Sequence, residues 1–164
     1  MVDSGKPAKS LGPLERLKGH YWTLGPFLKH SLLPPRVPAW ERWQTNIDGG
    51  VVGTLQLSGR LTTGPEADTI VVIIHGLGGS ATSYYARKAA IAAERAGLDS
   101  LRLNLRGADR EGGDYYHAGL TDDLSAAVSS HALEGYENVL LLGYSLGGNM
   151  MLRSAKRLTN ASMP

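Results

Sequence analysis

The segment Gly143–Gly147, with the sequence GYSLG, constrains the fold of this chain more than any other part of it. It follows the apolar run 139–142 and precedes the stretch 147–153, which has the composition of a helix. A tight turn from a buried strand into a helix leaves no space for large side chains close to its central residue. The glycines two residues before and after Ser145 meet that requirement. The segment therefore predicts a strand, a sharp turn that carries a serine, and a helix.

Ser145 is the candidate nucleophile in this turn. A G-x-S-x-G sequence between a strand and a helix is the nucleophile elbow of α/β-hydrolases. The serine oxygen then lies at the helix N-terminus, where peptide N–H groups favour the negative charge that develops during acyl transfer. A glycine-rich turn whose serine only caps the helix is the alternative interpretation.

A second glycine-rich segment, His75–Ser80, directly follows the apolar run 69–74. Its sequence, HGLGGS, is an HG-x-G-type loop, which supplies a backbone N–H to an oxyanion hole. We expect the two donors to be the N–H groups of Leu77 and Leu146. His75 is interpreted as a residue that orients this loop rather than as a general base.

The same loop permits a different interpretation. Residues 76–81 also fit G-x-G-x-x-A after a strand, the fingerprint of a dinucleotide-binding domain. That fingerprint requires an acidic residue at the end of the next strand, where this chain has Arg106. An arginine suits a 2′-phosphate. The dinucleotide interpretation, however, leaves Ser145 without a role.

The candidate substrate-binding residues are His75, Gly76, Tyr144 and His117. His117 follows the second predicted parallel strand, on the side where the active sites of open sheets gather. His131 is predicted to lie in a helix and to be solvated. No pair of histidines has the spacing of metal ligands, so no metal is expected. Asp122 and Asp123 are interpreted as first-turn acids of a helix, and Asp99 as a loop residue before a strand.

The predicted elements alternate as in an open α/β sheet. Strands are predicted at 41–47, 51–57, 69–74, 101–105 and 139–142, and helices at 83–96, from 121 to near 135, and at 147–153. The first two strands form a hairpin, and the later alternation of strands and helices predicts a doubly wound, mostly parallel sheet with helices on both faces. Residues 1–40, rich in proline and glycine, are predicted to form an irregular arm that packs on a domain spanning 41–164.

Composition excludes several classes of function. The chain of 164 residues has 17 basic and 15 acidic residues, a net charge of +2 and no basic run, so nucleic acid is not an expected partner. It has no cysteine, which excludes disulfides, thiolate metal sites and a cysteine nucleophile. No stretch has the length and apolarity of a signal peptide or a membrane helix. A cytoplasmic location and no integral membrane segment are therefore expected.

Together these motifs resemble the YheT-like branch of the α/β-hydrolases, which is related to the eukaryotic abhydrolase domain proteins. The matching segments are 19–23 with Pro26, 48–50, 75–80, 104–107, 116–119, 121–124 and 143–149. The resemblance implies a cofactor-free serine hydrolase of carboxylic esters, with a small-molecule or lipid ester as substrate. It implies the N-terminal half of an α/β-hydrolase fold preceded by the arm.

The triad acid and histidine follow the serine in this fold, yet residues 146–164 contain no Asp, Glu or His. The favoured hypothesis is a hydrolase half that is inactive alone. Two alternatives stay open, namely completion by another polypeptide and a non-catalytic binding module. Without later strands, residues 138–142 are predicted to form an exposed edge strand through which the chain self-associates.

Overall fold

The computed structural model describes residues 12, 36–50, 53–109 and 121–161, the last six of them only as helical backbone. The chain divides into two compact units, Met1–Pro35 and Arg36–Pro164. The described helices and strands all belong to the second unit. The predicted packing of the arm, and the predicted position of His117, lie outside the described residues.

The described elements follow one another in the predicted order. The strands are β1 (Glu41–Asp48), β2 (Thr54–Thr62), β3 (Thr69–Ile74), β4 (Asp99–Asn104) and β5 (Asn138–Gly143). The α-helices are α1 (Tyr84–Arg95), α2 (Asp122–Val128) and α3 (Leu146–Ala161). A 3-10 turn, His131–Leu133, lies between α2 and β5.

The strands form one sheet in the order β1-β2-β4-β3-β5. β3 pairs in parallel with β4 and with β5, whereas β2 pairs in antiparallel fashion with β1 and β4. The predicted α/β fold is therefore confirmed. The sheet is more mixed than expected, because the hairpin contributes two antiparallel pairings. Strand β5 is the edge of the described sheet, as predicted.

Helices cover both faces of the sheet, as predicted. Ala86 and Ala90 of α1 pack against Ile73 on one face. Leu124 of α2 and Met150 of α3 belong to the larger core cluster on the other face. Successive residues of a strand point to opposite faces, which places Ile73 in one cluster and both of its neighbours in the other.

Several boundaries differ from the predicted ones, and hydrogen bonds account for two of the differences. Strand β2 begins at Thr54 rather than at residue 51, because the Gly49 N–H donates to the Gly53 carbonyl at 2.8 Å and closes a wider turn. Helix α2 ends at Val128 rather than near residue 135. There the Ser130 hydroxyl donates to the Ala127 carbonyl at 2.7 Å, and the chain continues into the 3-10 turn.

Asp99 is the first residue of β4 and is buried, so its interpretation as a loop residue is wrong. Its carboxylate accepts hydrogen bonds from the Gly64 N–H, at 2.7 Å, and from the Tyr136 hydroxyl. These bonds hold the chain before β3 and the chain before β5 to the same end of the sheet. No helix within the described residues is long and apolar enough to cross a membrane.

Candidate active site

Ser145 occupies the turn between β5 and α3. Its φ angle is 51°, which no other non-glycine residue in the described part of the chain approaches. The left-handed region costs an L-residue about 1–2 kcal/mol, so the surrounding contacts must hold the turn in place. The Gly147 N–H donates to the Tyr144 carbonyl at 2.9 Å, and the Asn149 N–H donates to the Ser145 carbonyl at 3.1 Å. Ser145 itself is exposed, which leaves its hydroxyl accessible at the start of α3.

The two flanking glycines are required by close backbone contacts. A β-carbon added to Gly143 would lie 2.5 Å from the carbonyl carbon and oxygen of Gly147. One added to Gly147 would lie 2.6 Å from the carbonyl oxygens of Ile74 and His75. No side chain fits at either position, so helix α3 begins directly against the end of β3.

The predicted oxyanion loop lies beside the serine turn. A β-carbon added to Gly76 would lie 3.3 Å from the Ser145 β-carbon and 3.1 Å from the Tyr144 carbonyl oxygen. The Gly79 N–H donates to the Gly76 carbonyl at 3.0 Å and folds the loop back on itself. The Gly76 N–H donates to the Tyr85 hydroxyl at 3.1 Å, and the Tyr85 ring lies 4.6 Å from that of Tyr144. Two segments separated by about seventy residues thus meet at one place.

Leu77 and Leu146 each follow one of these two turns. Among the turn and loop hydrogen bonds of the described residues, neither of their N–H groups donates to a backbone carbonyl. The N–H of Leu146 is the first of α3, so it has no acceptor within the helix. The Leu77 side chain is 80% exposed and does not cover the loop. An oxyanion hole made by these two N–H groups stays a prediction.

His75 is fully buried and uses both ring nitrogens. Its Nε2 accepts from the Leu105 N–H at 3.2 Å, which requires the proton to be on Nδ1, and Nδ1–H donates to the Gly76 carbonyl at 2.7 Å. Burial lowers the pKa of His75, and its bond to the Gly76 carbonyl offsets part of that effect. A neutral imidazole with no free lone pair fits the orienting role and does not suit a general base. It also ties the end of β3 to the end of β4.

His131 is the other histidine within the described residues. Its exposed ring lies in the 3-10 turn, with Nδ1 2.8 Å from the Glu134 carboxylate. The turn precedes β5 and Ser145 follows it, so a six-residue strand, about 20 Å long, separates them. No cluster of three or more His, Asp or Glu that could hold a metal is found in the described part of the chain.

Arg106 and Asp123 form a buried ion pair that was not predicted from the sequence. The Arg106 Nε–H donates to Asp123 Oδ1 at 2.8 Å, and the Arg106 backbone N–H donates to Asp123 Oδ2 at 3.1 Å. Asp123 lies in the first turn of α2, as predicted, but it is completely buried and also pairs with Arg106. The helical spacing could have predicted that Asp123 is buried, because it lies four residues before the buried Ala127 on the same face of α2.

The dinucleotide interpretation does not fit the loop geometry. Its glycines should lead directly into a helix whose N-terminus holds the pyrophosphate. Helix α1 instead begins at Tyr84, five residues after Gly79. The Arg106 guanidinium, which was to bind a 2′-phosphate, is paired with Asp123.

Comparison with known proteins places this arrangement in a family. Residues 71–163, more than half of the chain, match the alpha/beta hydrolase family. The chain belongs to the α/β-hydrolase family. A stretch of 85 residues is 36% identical to the candidate esterase YheT of Escherichia coli (strain K12), which agrees with the YheT-like resemblance. That match covers 49% of this chain and 25% of YheT.

Solved structures show the same fold. An esterase of Pyrobaculum calidifontis has a TM-score of 0.58 at 19% identity, over 94% of this chain and 55% of that one. A dienelactone hydrolase of Anabaena variabilis has a TM-score of 0.58 at 24% identity, over 74% of this chain and 59% of that one. A candidate hydrolase of Agrobacterium vitis has a TM-score of 0.63 at 17% identity, over 74% of this chain and 47% of that one. This α/β-hydrolase chain thus spans a quarter of its curated relative and about half of each of these structures.

Proposed function

We propose that this chain is the nucleophile-bearing part of a serine hydrolase that cleaves carboxylic esters. The observation that carries the proposal is the strained backbone of Ser145, with φ of 51°, directly beside the Gly76 loop. Strain of this kind persists where the surroundings enforce it and where an exposed side chain has a task. The esterases among the similar proteins support an ester as the substrate class, either a small molecule or a lipid.

In the proposed reaction the Ser145 Oγ attacks the carbonyl carbon of the ester while a base removes its proton. The carbonyl oxygen becomes an oxyanion, which the N–H groups of Leu77 and Leu146 stabilise. The C–O bond to the alcohol then breaks, and the alcohol leaves with the proton from the base. Water hydrolyses the acyl-serine in the same way and releases the carboxylic acid. Gly76 and Tyr144 are proposed to contact the substrate beside the carbonyl, while the buried His75 orients the loop.

In this proposal neither of the two described histidines is the base. Both nitrogens of His75 are occupied, and His131 lies at the other end of β5. His20, His30 and His117 lie outside the described residues, and a further segment or another polypeptide is the other source. Without a base, a serine hydroxyl is a weak nucleophile at neutral pH. The 164-residue chain alone is therefore expected to react slowly.

Labelling with a fluorophosphonate tests the proposal. The probe should modify Ser145, as located by peptide mass spectrometry, and the adduct should vanish in Ser145→Ala but persist in Ser129→Ala, a matched exposed serine. With no base present, the labelling rate should rise about tenfold per pH unit and should increase when imidazole is added. A rate that levels off near pH 7 would instead show that a histidine of this chain serves as the base. Failure to label Ser145 at any pH, with imidazole present, would refute the nucleophile and favour a binding module.

A further inference from the structure

One face of β2 and β4 carries a polar stripe that the proposed hydrolase chemistry does not use. In the pairing of the two strands, the residues that oppose each other are Ser58 with Asn104, Arg60 with Arg102, and Thr62 with Ser100. The alternate residues of the same strands are apolar, among them Leu57, Leu61, Leu101 and Leu103, which belong to the main core. One face of this pair of strands is thus an ordinary core, and the other is polar although largely buried.

Arg102 is the least satisfied side chain of the stripe. It is completely buried, and Nη1 donates to the Ala81 carbonyl at 3.4 Å. Its Nε and Nη2 have no hydrogen-bond partner among the described residues, and neither do the Thr62 hydroxyl, the Ser100 hydroxyl and the Arg87 Nε. Buried polar groups in folded proteins are nearly always hydrogen-bonded, so a cluster of five such atoms indicates acceptors that the described residues do not provide.

This region also has an excess of positive charge. Arg60, Arg87 and Arg102 lie near enough to affect one another, and burial, followed by Arg60 and Arg87, lowers the pKa of Arg102 to about 10. Within the described ranges none of these three guanidinium groups forms an ion pair. Arg60 stacks instead on Trp40, with its guanidinium carbon 4.1 Å from the ring centre. Three mutually repelling cations persist most readily where an anion joins them.

A cavity of about 350 Å³ opens beside the stripe. It is lined by Trp40, Arg42, Ser58, Gly59, Arg60, Ser80, Thr82, Asn104, Ala108 and Asp109. The Asp109 carboxylate accepts from the Ser58 hydroxyl, whose oxygen in turn accepts from the Asn104 amide. Arg102 lies directly behind the wall, since its acceptor Ala81 stands between the lining residues Ser80 and Thr82.

We propose that this cavity binds the phosphate group of a small phosphomonoester. The planar guanidinium fork of Arg60, which lines the cavity, matches phosphate oxygens in geometry. Arg102 is buried behind the wall and adds positive charge without contact to the ligand, and the dianion offsets two of the three positive charges. The hydroxyl and amide groups of the lining supply the remaining polar contacts. Ser145 is not among the residues that line the cavity, although Ser80, at the end of the predicted oxyanion loop, is one of them. Phosphate binding at this cavity does not require ester hydrolysis.

Titration calorimetry with inorganic phosphate, at constant ionic strength in chloride, tests the site. Arg60 is only half-buried, so Arg60→Gln should fold and should weaken phosphate binding about tenfold or more, since hydrogen bonds to charged groups are the strong ones. Arg95→Gln removes one exposed cation from the last turn of α1 and should leave binding within about twofold. Equal weakening in both variants, or no phosphate binding by the wild-type chain, would overturn the proposal.

Two further measurements define the ligand. Thermal unfolding should show that phosphate raises the Tm of the wild-type chain but not that of Arg60→Gln, because only a specific site is lost in the variant. Glycerol 3-phosphate that binds more tightly than inorganic phosphate would support a soluble phosphomonoester. Binding only to vesicles of equal parts phosphatidylcholine and phosphatidic acid would overturn the proposal in favour of a lipid headgroup. Succinate that binds as tightly as phosphate would overturn the preference for phosphate.

Discussion

At the scale of single residues, His75 shows how position decides the chemistry of a side chain. A histidine next to a nucleophile is usually considered as a base, but here its two nitrogens join the Leu105 N–H to the Gly76 carbonyl. The imidazole thereby fixes the loop that approaches Ser145. Tyr85 acts on the same loop, because its hydroxyl accepts the Gly76 N–H.

The protonation of His75 should make the fold sensitive to acid. Burial lowers its folded pKa below the ordinary value of 6.5, so the unfolded chain binds more protons between the two pKa values. The free energy of unfolding should therefore fall as the pH drops below 6.5 and should level off once the folded pKa is passed. Urea denaturation across this range measures the slope. His75→Gln should remove that part of the slope, whereas His131→Gln, which changes an exposed ring, should keep it.

Gly147 shows how little space the serine turn allows. Gly147→Ala would place a methyl group 2.6 Å from two carbonyl oxygens at the end of β3, and backbone atoms cannot give way as a flexible side chain can. We expect a loss of about 1–3 kcal/mol or more in the free energy of unfolding. Gly135→Ala is the control, since no atom lies within 4 Å of its added β-carbon. Equal stability of the two variants would mean that the turn is looser than described.

At the scale of elements, the buried pair of Arg106 and Asp123 links the end of β4 to the start of α2. The Asp123 carboxylate accepts hydrogen bonds from the Arg106 side chain and from the Arg106 backbone N–H. It therefore balances the guanidinium charge and also satisfies a backbone donor just after β4. The pair thereby sets where the loop after β4 leaves the sheet. Leu105, directly before Arg106, donates its N–H to His75 at 3.2 Å, so the pair anchors the chain next to the His75 loop.

Removal of one partner of this pair should be costly. Asp123→Ala leaves the Arg106 guanidinium buried and without its carboxylate, which typically costs about 3–5 kcal/mol. Asp122→Ala changes the neighbouring exposed acid in the same helical turn and should cost less, with about 0.3–1 kcal/mol from the helix dipole. Guanidinium denaturation of the two variants measures both values. A similar loss in both would show that the ion pair contributes little to stability.

At the scale of the whole molecule, the sheet ends in a strand with exposed apolar side chains. Leu140 of β5 is 49% exposed and Leu142 is 39% exposed. An edge strand presents a row of unpaired N–H and C=O groups, so a flat apolar edge is a template for another strand. We expect the 164-residue chain to self-associate through β5. The structures with the same fold are about twice as long as the matched region.

Sedimentation velocity over a range of concentrations should detect this association. Leu140→Lys places a charge on the edge strand and should shift the distribution towards the monomer. Leu152→Lys is the matched control, since Leu152 is 66% exposed but lies on helix α3. A monomeric wild-type chain at all concentrations would contradict the prediction, and equal effects of the two variants would indicate nonspecific apolar contact.

The local patterns of this sequence were sufficient for the order of its elements and for the α/β fold. Strand β3 was predicted with its observed ends, because six consecutive β-branched residues flanked by polar ones have few other structures open to them. Helix α2 was predicted too long, because a propensity pattern does not reveal that the Ser130 hydroxyl bonds the Ala127 carbonyl. The oxyanion loop and the serine turn were both recognised as motifs.

What the sequence alone determined is local: which residues form strands and helices, and which glycines permit tight turns. Such features follow from contacts between residues near in the chain, where residue type and spacing are sufficient. Only the tertiary structure decided that Gly76 meets Ser145, that His75 is a neutral tie between strands, that Asp123 neutralises Arg106, and that Arg60, Arg87 and Arg102 lie near enough to repel one another. These long-range contacts depend on strand order and on burial. The distance between two charges and their exposure to water determine whether the charges pair, repel each other or bind a ligand.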